Sequence, residues 1–123
     1  MTTHRLVIAV NLVYAVALLV LGLIPSVPDA VAGVPDHVAH AVAYAAQAAL
    51  LYILFLHSGG RGRAAVLALC VALLYGGCVE MLQSFQPART VELADLAANT
   101  VGAATASGAL YLVTGTRRTE TGR

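Results

Sequence analysis

Four long apolar runs constrain this chain more than anything else in it: Leu6–Ile24, Val38–Leu56, Ala64–Leu82 and Leu93–Val113. Each approaches the ~20 residues a helix needs to cross ~30 Å of hydrocarbon. A water-soluble domain of 123 residues needs a large polar surface. Here only 11% of residues are charged and mean hydropathy is +0.82. The expectation is an all-α, four-helix transmembrane bundle, a single domain over 1–123, with helices at about 5–24, 37–57, 64–84 and 92–114.

Charge placement then orients the bundle. The net charge of +1 carries no signal for nucleic acid, but all seven basic residues are Arg and they are unevenly spread. Arg5 precedes the first run, Arg61 and Arg63 lie between the second and third, and Arg117, Arg118 and Arg123 follow the fourth. The loop after the first run has no basic residue and carries Asp29 and Asp36. The positive-inside rule predicts cytoplasmic N and C termini and outward-facing first and third loops. Arg89 is the one basic residue on the outer side. The first run exceeds a usual signal-peptide core and three spans follow it, so it is read as a helix of the mature protein.

Local punctuation fits the four spans. "PSVP" stops the first helix, in which Asn11 and Tyr14 are polar interruptions that call for partners on neighbouring helices. Pro35 followed by Asp36 suits a helix start, the carboxylate lying near the positive dipole end. "SGGRGR" reads as a short turn, and Pro87 ends the third helix near Ser84. Small residues in "ADLAANTVGAATASGAL" allow close helix approach, and "TGTRRTETGR" reads as a frayed tail. Cys70 and Cys78 lie too far apart on one helix to bond, and read as small buried packing residues.

Helical spacing gathers the scarce polar residues at one end. Asp36, His40 and Tyr44 share a face by their i, i+4, i+8 spacing, Glu80 and Gln83 by i, i+3, and Asp95, Asn99 and Gly102 line the fourth helix. Arg89 lies in the connection between helices three and four. Topology puts all of these at the outer membrane face. A charged side chain costs roughly 2.5–3.5 kcal/mol at the centre of a spanning helix and less towards its ends. Inward-facing carboxylates with Arg89 as counter-ion are the economical arrangement.

His40 is the best candidate for acid–base work, with Asp36 one turn away to orient it and Glu80 as a second group. Ser84 is the nearest nucleophile by sequence, and nothing around it resembles an activated serine. His37, His40, Glu80 and Asp95 are suitable metal-ligand types but lack a compact binding motif, so neither metal nor cofactor is assigned. Transport is the weakest reading, since no polar file is evident through the middle of the spans. Equally open is a structural role, in which Glu80, Arg89 and Asp95 lock helices three and four as an ion network.

In "DHVAHAVAY" and "EMLQSFQPARTVELADLAANTVG" the chain resembles the VanZ-like family of small bacterial membrane proteins over roughly Asp36 to Gly102. One departure is His37, where the family commonly has Lys, so a titratable group replaces a permanent charge. The family is named for a protein that raises resistance to the glycopeptide teicoplanin. The resemblance implies a multi-pass protein of the bacterial cytoplasmic (inner) membrane, serving the cell envelope. The site expected on these grounds is an outward-opening pocket of Asp36, His40, Tyr44, Glu80, Gln83, Arg89, Asp95 and Asn99. Its expected partner is a membrane lipid with an anionic or glycosylated head group, such as a lipid-linked envelope precursor, or a glycopeptide. An envelope-lipid hydrolase or transferase using His40 and Glu80, and a structural or accessory subunit, are the alternatives.

Overall fold

The computed structural model describes residues 3–24, 33–86 and 93–120, with side chains to residue 115. These form four helices, α1 (Thr3–Leu23), α2 (Asp36–Leu56), α3 (Arg61–Gln83) and α4 (Leu93–Glu120), with no strand among the described residues. All four are long and apolar enough to cross a membrane. The predicted boundaries agree within three residues except at the end of α4. There the helix continues to Glu120 instead of fraying after residue 114, because the tail contains no Pro and its Thr and Arg residues tolerate a helix.

The helix starts follow from local chemistry. Pro35 caps α2 with φ −56° and ψ 137°, its carbonyl accepting from the amides of Val38 and Ala39. Gly33, with φ 113°, supplies the turn just before it. Gly60, extended at φ −71° and ψ 159°, caps α3, so Arg61 and Arg63 fall inside the helix rather than in the loop. A cation in the first turn opposes the helix dipole. The guanidinium of Arg61 lies 4.7 Å from the centroid of the Tyr111 ring, a contact that offsets part of that cost.

Small residues hold α2, α3 and α4 together. On α3, Ala64, Ala68, Ala72 and Gly76 recur every fourth residue as one buried ridge. Ala48, Leu51 and Tyr52 from α2 and Ala103 from α4 complete that core. Gly102 marks the closest approach: a Cβ there would lie 2.0 Å from the backbone oxygen of Ala41. Helices in hydrocarbon associate through such close packing, since lipid is as apolar as they are. Large side chains instead point outward, among them Leu12, Val13, Leu74, Val101 and Leu112. Cys70 and Cys78 are also exposed, contrary to the sequence reading; the ridge of still smaller residues takes the interior face of α3.

α1 is peripheral. It touches α2 and α3 but not α4 among the described residues. Its one buried residue is Asn11, whose amide donates to Leu50 on α2 at 3.2 Å and to Val7 at 2.9 Å. Tyr14 donates to Ala43 on α2 at 3.0 Å. From α3, Tyr75 donates to the Ala15 carbonyl, and Gln83 to Gly22 at 2.7 Å. Gln86, just past α3, donates to Leu23 at 2.9 Å. The expectation that Asn11 and Tyr14 bond to neighbouring helices holds, and α1 is fastened largely by side chain-to-backbone hydrogen bonds.

Candidate functional site

The beginnings of α2 and α4 and the end of α3 meet at one end of the bundle. His40 is its hub. Its Nδ1 lies 3.0 Å from Oδ1 of Asn99 on α4 and 3.6 Å from Oε1 of Glu80 on α3. Its Nε2 faces Oδ1 of Asp36, one turn earlier on α2, at 3.9 Å. Asp95 completes the group, with one oxygen within 4.8 Å of ligand atoms of both Asp36 and His40. Four polar residues spaced for one face on three different helices thus converge on a single imidazole.

Burial divides them. Glu80, Asp95 and Asn99 are buried, with Asp95 at 8% exposure and Asn99 at 0%. The Asp36 side chain is 63% exposed. Asp36 was expected to orient the imidazole, but 3.9 Å exceeds hydrogen-bonding distance and Asn99 does that work. The Asn99 carbonyl and the Glu80 carboxylate both face Nδ1, which therefore carries the ring hydrogen in the neutral form.

Tyr44 forms the floor. Its ring runs nearly parallel to that of His40, 11° between planes and 6.4 Å between centroids. Space for it exists because residue 76 is Gly: a Cβ there would lie 2.9 Å from the Tyr44 ring and 3.2 Å from Nδ2 of Asn99. Gly76 is a site residue that the sequence reading missed, although its position four residues before Glu80 on the small-residue ridge was the available signal. Gln83 is buried, but its amide nitrogen is engaged by the Gly22 carbonyl, which turns that group towards α1. Ser84 donates to Met81 at 2.6 Å and bonds to no base among the described residues. His37 is exposed. Arg89 lies outside the described residues.

The polar character does not stop at the site. Gln47 and Ser107 are buried at 3% exposure, deep in α2 and α4, contrary to the reading that no polar file enters the spans. Their positions follow from register. The two helices run parallel, joined by His40–Asn99 at an offset of 59 residues and by Tyr52–Thr114 at an offset of 62. An intermediate offset of 60 puts Ser107 level with Gln47. Gln47 Oε1, Ser107 Oγ and Asn99 Nδ2 all lack a hydrogen-bond partner among the described residues.

A VanZ/LLP1 family model matches residues 10–114, a range that takes in α2 and α3, most of α1 and α4, and the whole of this cluster. The chain belongs to the VanZ/LLP1 family. No curated protein and no solved structure matched it in the parallel comparisons. For this VanZ/LLP1 chain, the matched range coincides with the conclusion from composition: a multi-pass membrane protein.

Chemically, the site offers three carboxylates, a carboxamide and an imidazole. Carboxylates only accept hydrogen bonds when ionised. The described cluster is therefore rich in acceptors and suited to groups that donate, such as hydroxyls, amides and cations.

Proposed function

We propose that this VanZ/LLP1 protein recognises the polar head group of an envelope amphiphile at the outer face of a bacterial cytoplasmic membrane. The observation that carries the reading is the convergence of Asp36, Glu80, Asp95 and Asn99 around His40 at one end of a membrane-spanning bundle. Intramembrane carboxylates are costly and usually functional. Their acceptor character favours a head group bearing sugar hydroxyls or amides over one that is merely anionic. An anionic portion would be met by Arg89, which the sequence supplies six residues after the end of α3 at Gln83. The outer placement rests on the arginine distribution. A bearing on teicoplanin susceptibility belongs to the same proposal and rests on the family resemblance.

Native mass spectrometry of the detergent-purified protein tests the reading. Wild type is expected to retain a glycosylated or amide-bearing lipid that Asp95→Asn and Arg89→Ala release while remaining folded. Identical lipid adducts in all three proteins would sink it.

A second reading has its own observation, the 3.6 Å approach of His40 to Glu80, which is the beginning of an acid–base pair. It predicts turnover of an envelope lipid that His40→Gln abolishes without loss of fold.

A further inference from the structure

We propose that Asp36, His40 and Asp95 form a binding site for one divalent cation of borderline hardness, with Zn²⁺ the best-matched ion. The proposal goes beyond head-group recognition and stands without it.

Three features point to a cation. First, one candidate ligand atom from each residue lies within 4.8 Å of the other two. Ligand atoms bound to zinc at ~2.0–2.2 Å in a tetrahedral site are roughly 3.4 Å apart, so a contraction of at most about 1.4 Å completes the geometry. Asp36 can supply it, being the first residue of α2 with a side chain 63% exposed. Asp36 and His40 are one helical turn apart, a spacing that presents two ligands on one face. Asp95 then arrives from a different helix. That is why no compact motif announces the set in the sequence.

Second, the imidazole is prepared for a metal. The Asn99 Oδ1 acceptor at 3.0 Å holds the hydrogen on Nδ1, and the Glu80 carboxylate, 3.6 Å away, favours the same placement electrostatically. The lone pair of the neutral ring is then on Nε2, the nitrogen that faces Asp36. Metal-binding histidines are characteristically fixed by donation from the other ring nitrogen to a carbonyl or carboxylate. Asn99 is the positioning residue in this arrangement.

Third, Asp95 as a residue is only 8% exposed, and it makes no hydrogen bond or ion pair among the described residues. A buried carboxylate without a partner is expensive. One of its oxygens lies within 4.8 Å of ligand atoms of Asp36 and His40, so three electron-pair donors converge. A divalent cation resolves that conflict. The imidazole ligand favours zinc over the oxygen-seeking magnesium, calcium and manganese. Three protein ligands leave a coordination position open.

The test uses metal alone. Protein purified in detergent and stripped with a chelator is titrated with Zn²⁺, and bound zinc is counted after desalting by inductively coupled plasma mass spectrometry. Asp36→Asn, Asp95→Asn, Asn99→Ala and His57→Gln are compared with wild type. His57 is included because the His4 and His57 rings meet at the opposite end of the bundle, 6.0 Å between centroids.

One zinc per chain is expected in wild type and in His57→Gln. Affinity should fall more than about tenfold in Asp36→Asn and Asp95→Asn, and by about 10-fold or more in Asn99→Ala. Asp36 is exposed, so its variant keeps the test decisive if Asp95→Asn does not fold. Absence of stoichiometric zinc in wild type overturns the proposal. So does binding that survives both carboxamide substitutions, or binding that only His57→Gln removes.

Discussion

The two ends of the bundle use polar residues in opposite ways. At the end where α2 and α4 finish, the bonds close. Thr114 gives its hydrogen to Leu110 at 2.7 Å, which leaves Tyr52 to donate to the Thr114 oxygen, also at 2.7 Å. Arg61 lies over Tyr111, and His57 bonds within its own helix to Ile53 at 2.7 Å. At the end where α2 and α4 begin, carboxylates gather around one imidazole. Asp95 has no partner among the described residues, and Asn99 leaves its Nδ2 unpaired. A closed network stabilises a fold. An excess of acceptors stores a demand for something from outside it.

Substitutions can break or sharpen that contrast, and the largest effect is expected where both ends depend on one contact. Gly102→Leu forces α4 away from the Ala41 backbone and should cost about 3 kcal/mol, at the upper end for overpacking, read as a large fall in melting temperature in detergent. Tyr52→Phe removes a closed bond at the far end and should cost about 1 kcal/mol in the same measurement. Gln83→Leu unfastens α1 from α3 and should cost about 0.6 kcal/mol, typical of interhelical hydrogen bonds in membranes, with faster hydrogen exchange confined to α1. Asp36→Asn should be the smallest and of the other sign, neutral or stabilising by a few tenths of a kcal/mol in metal-free protein, because it removes an exposed like charge near Asp95. A loss of stability in Asp36→Asn equal to that in Tyr52→Phe would erase the distinction between the ends.

The architecture was legible in the chain because hydrocarbon thickness imposes a length on each span, and four runs of that length are hard to read otherwise. The grouping of Asp36, His40, Glu80, Asp95 and Asn99 was legible for a related reason. Helical periodicity gives each residue a face, and alternating spans give each face an end. Periodicity does not say which of several converging groups touch. Asn99 rather than Asp36 fixes the His40 ring, and that depends on how far α4 advances towards α2 at Gly102. Gly76 escaped notice because its contribution is the room it leaves for Tyr44. Cys70 and Cys78 were read as interior by residue type, whereas the Ala64–Gly76 ridge already occupies that face of α3. That Gln47 and Ser107 lie at a similar level in the bundle follows only once the parallel register of α2 and α4 is known.

The peripheral position of α1 has a consequence for biogenesis. Of the four helices, α1 is synthesised first and is the most apolar, so it can wait alone in lipid. Its own polar groups, Asn11 and Tyr14, are answered by the next helix to arrive, and α3 then reaches its carbonyls at Ala15 and Gly22. α4, the least apolar span, packs against α2 and α3 and, among the described residues, not against α1. It brings Asp95 and the Asn99 that holds His40. Without that last helix, neither Asp95 nor Asn99 stands beside His40, so the polar cluster is complete only when α2, α3 and α4 are together.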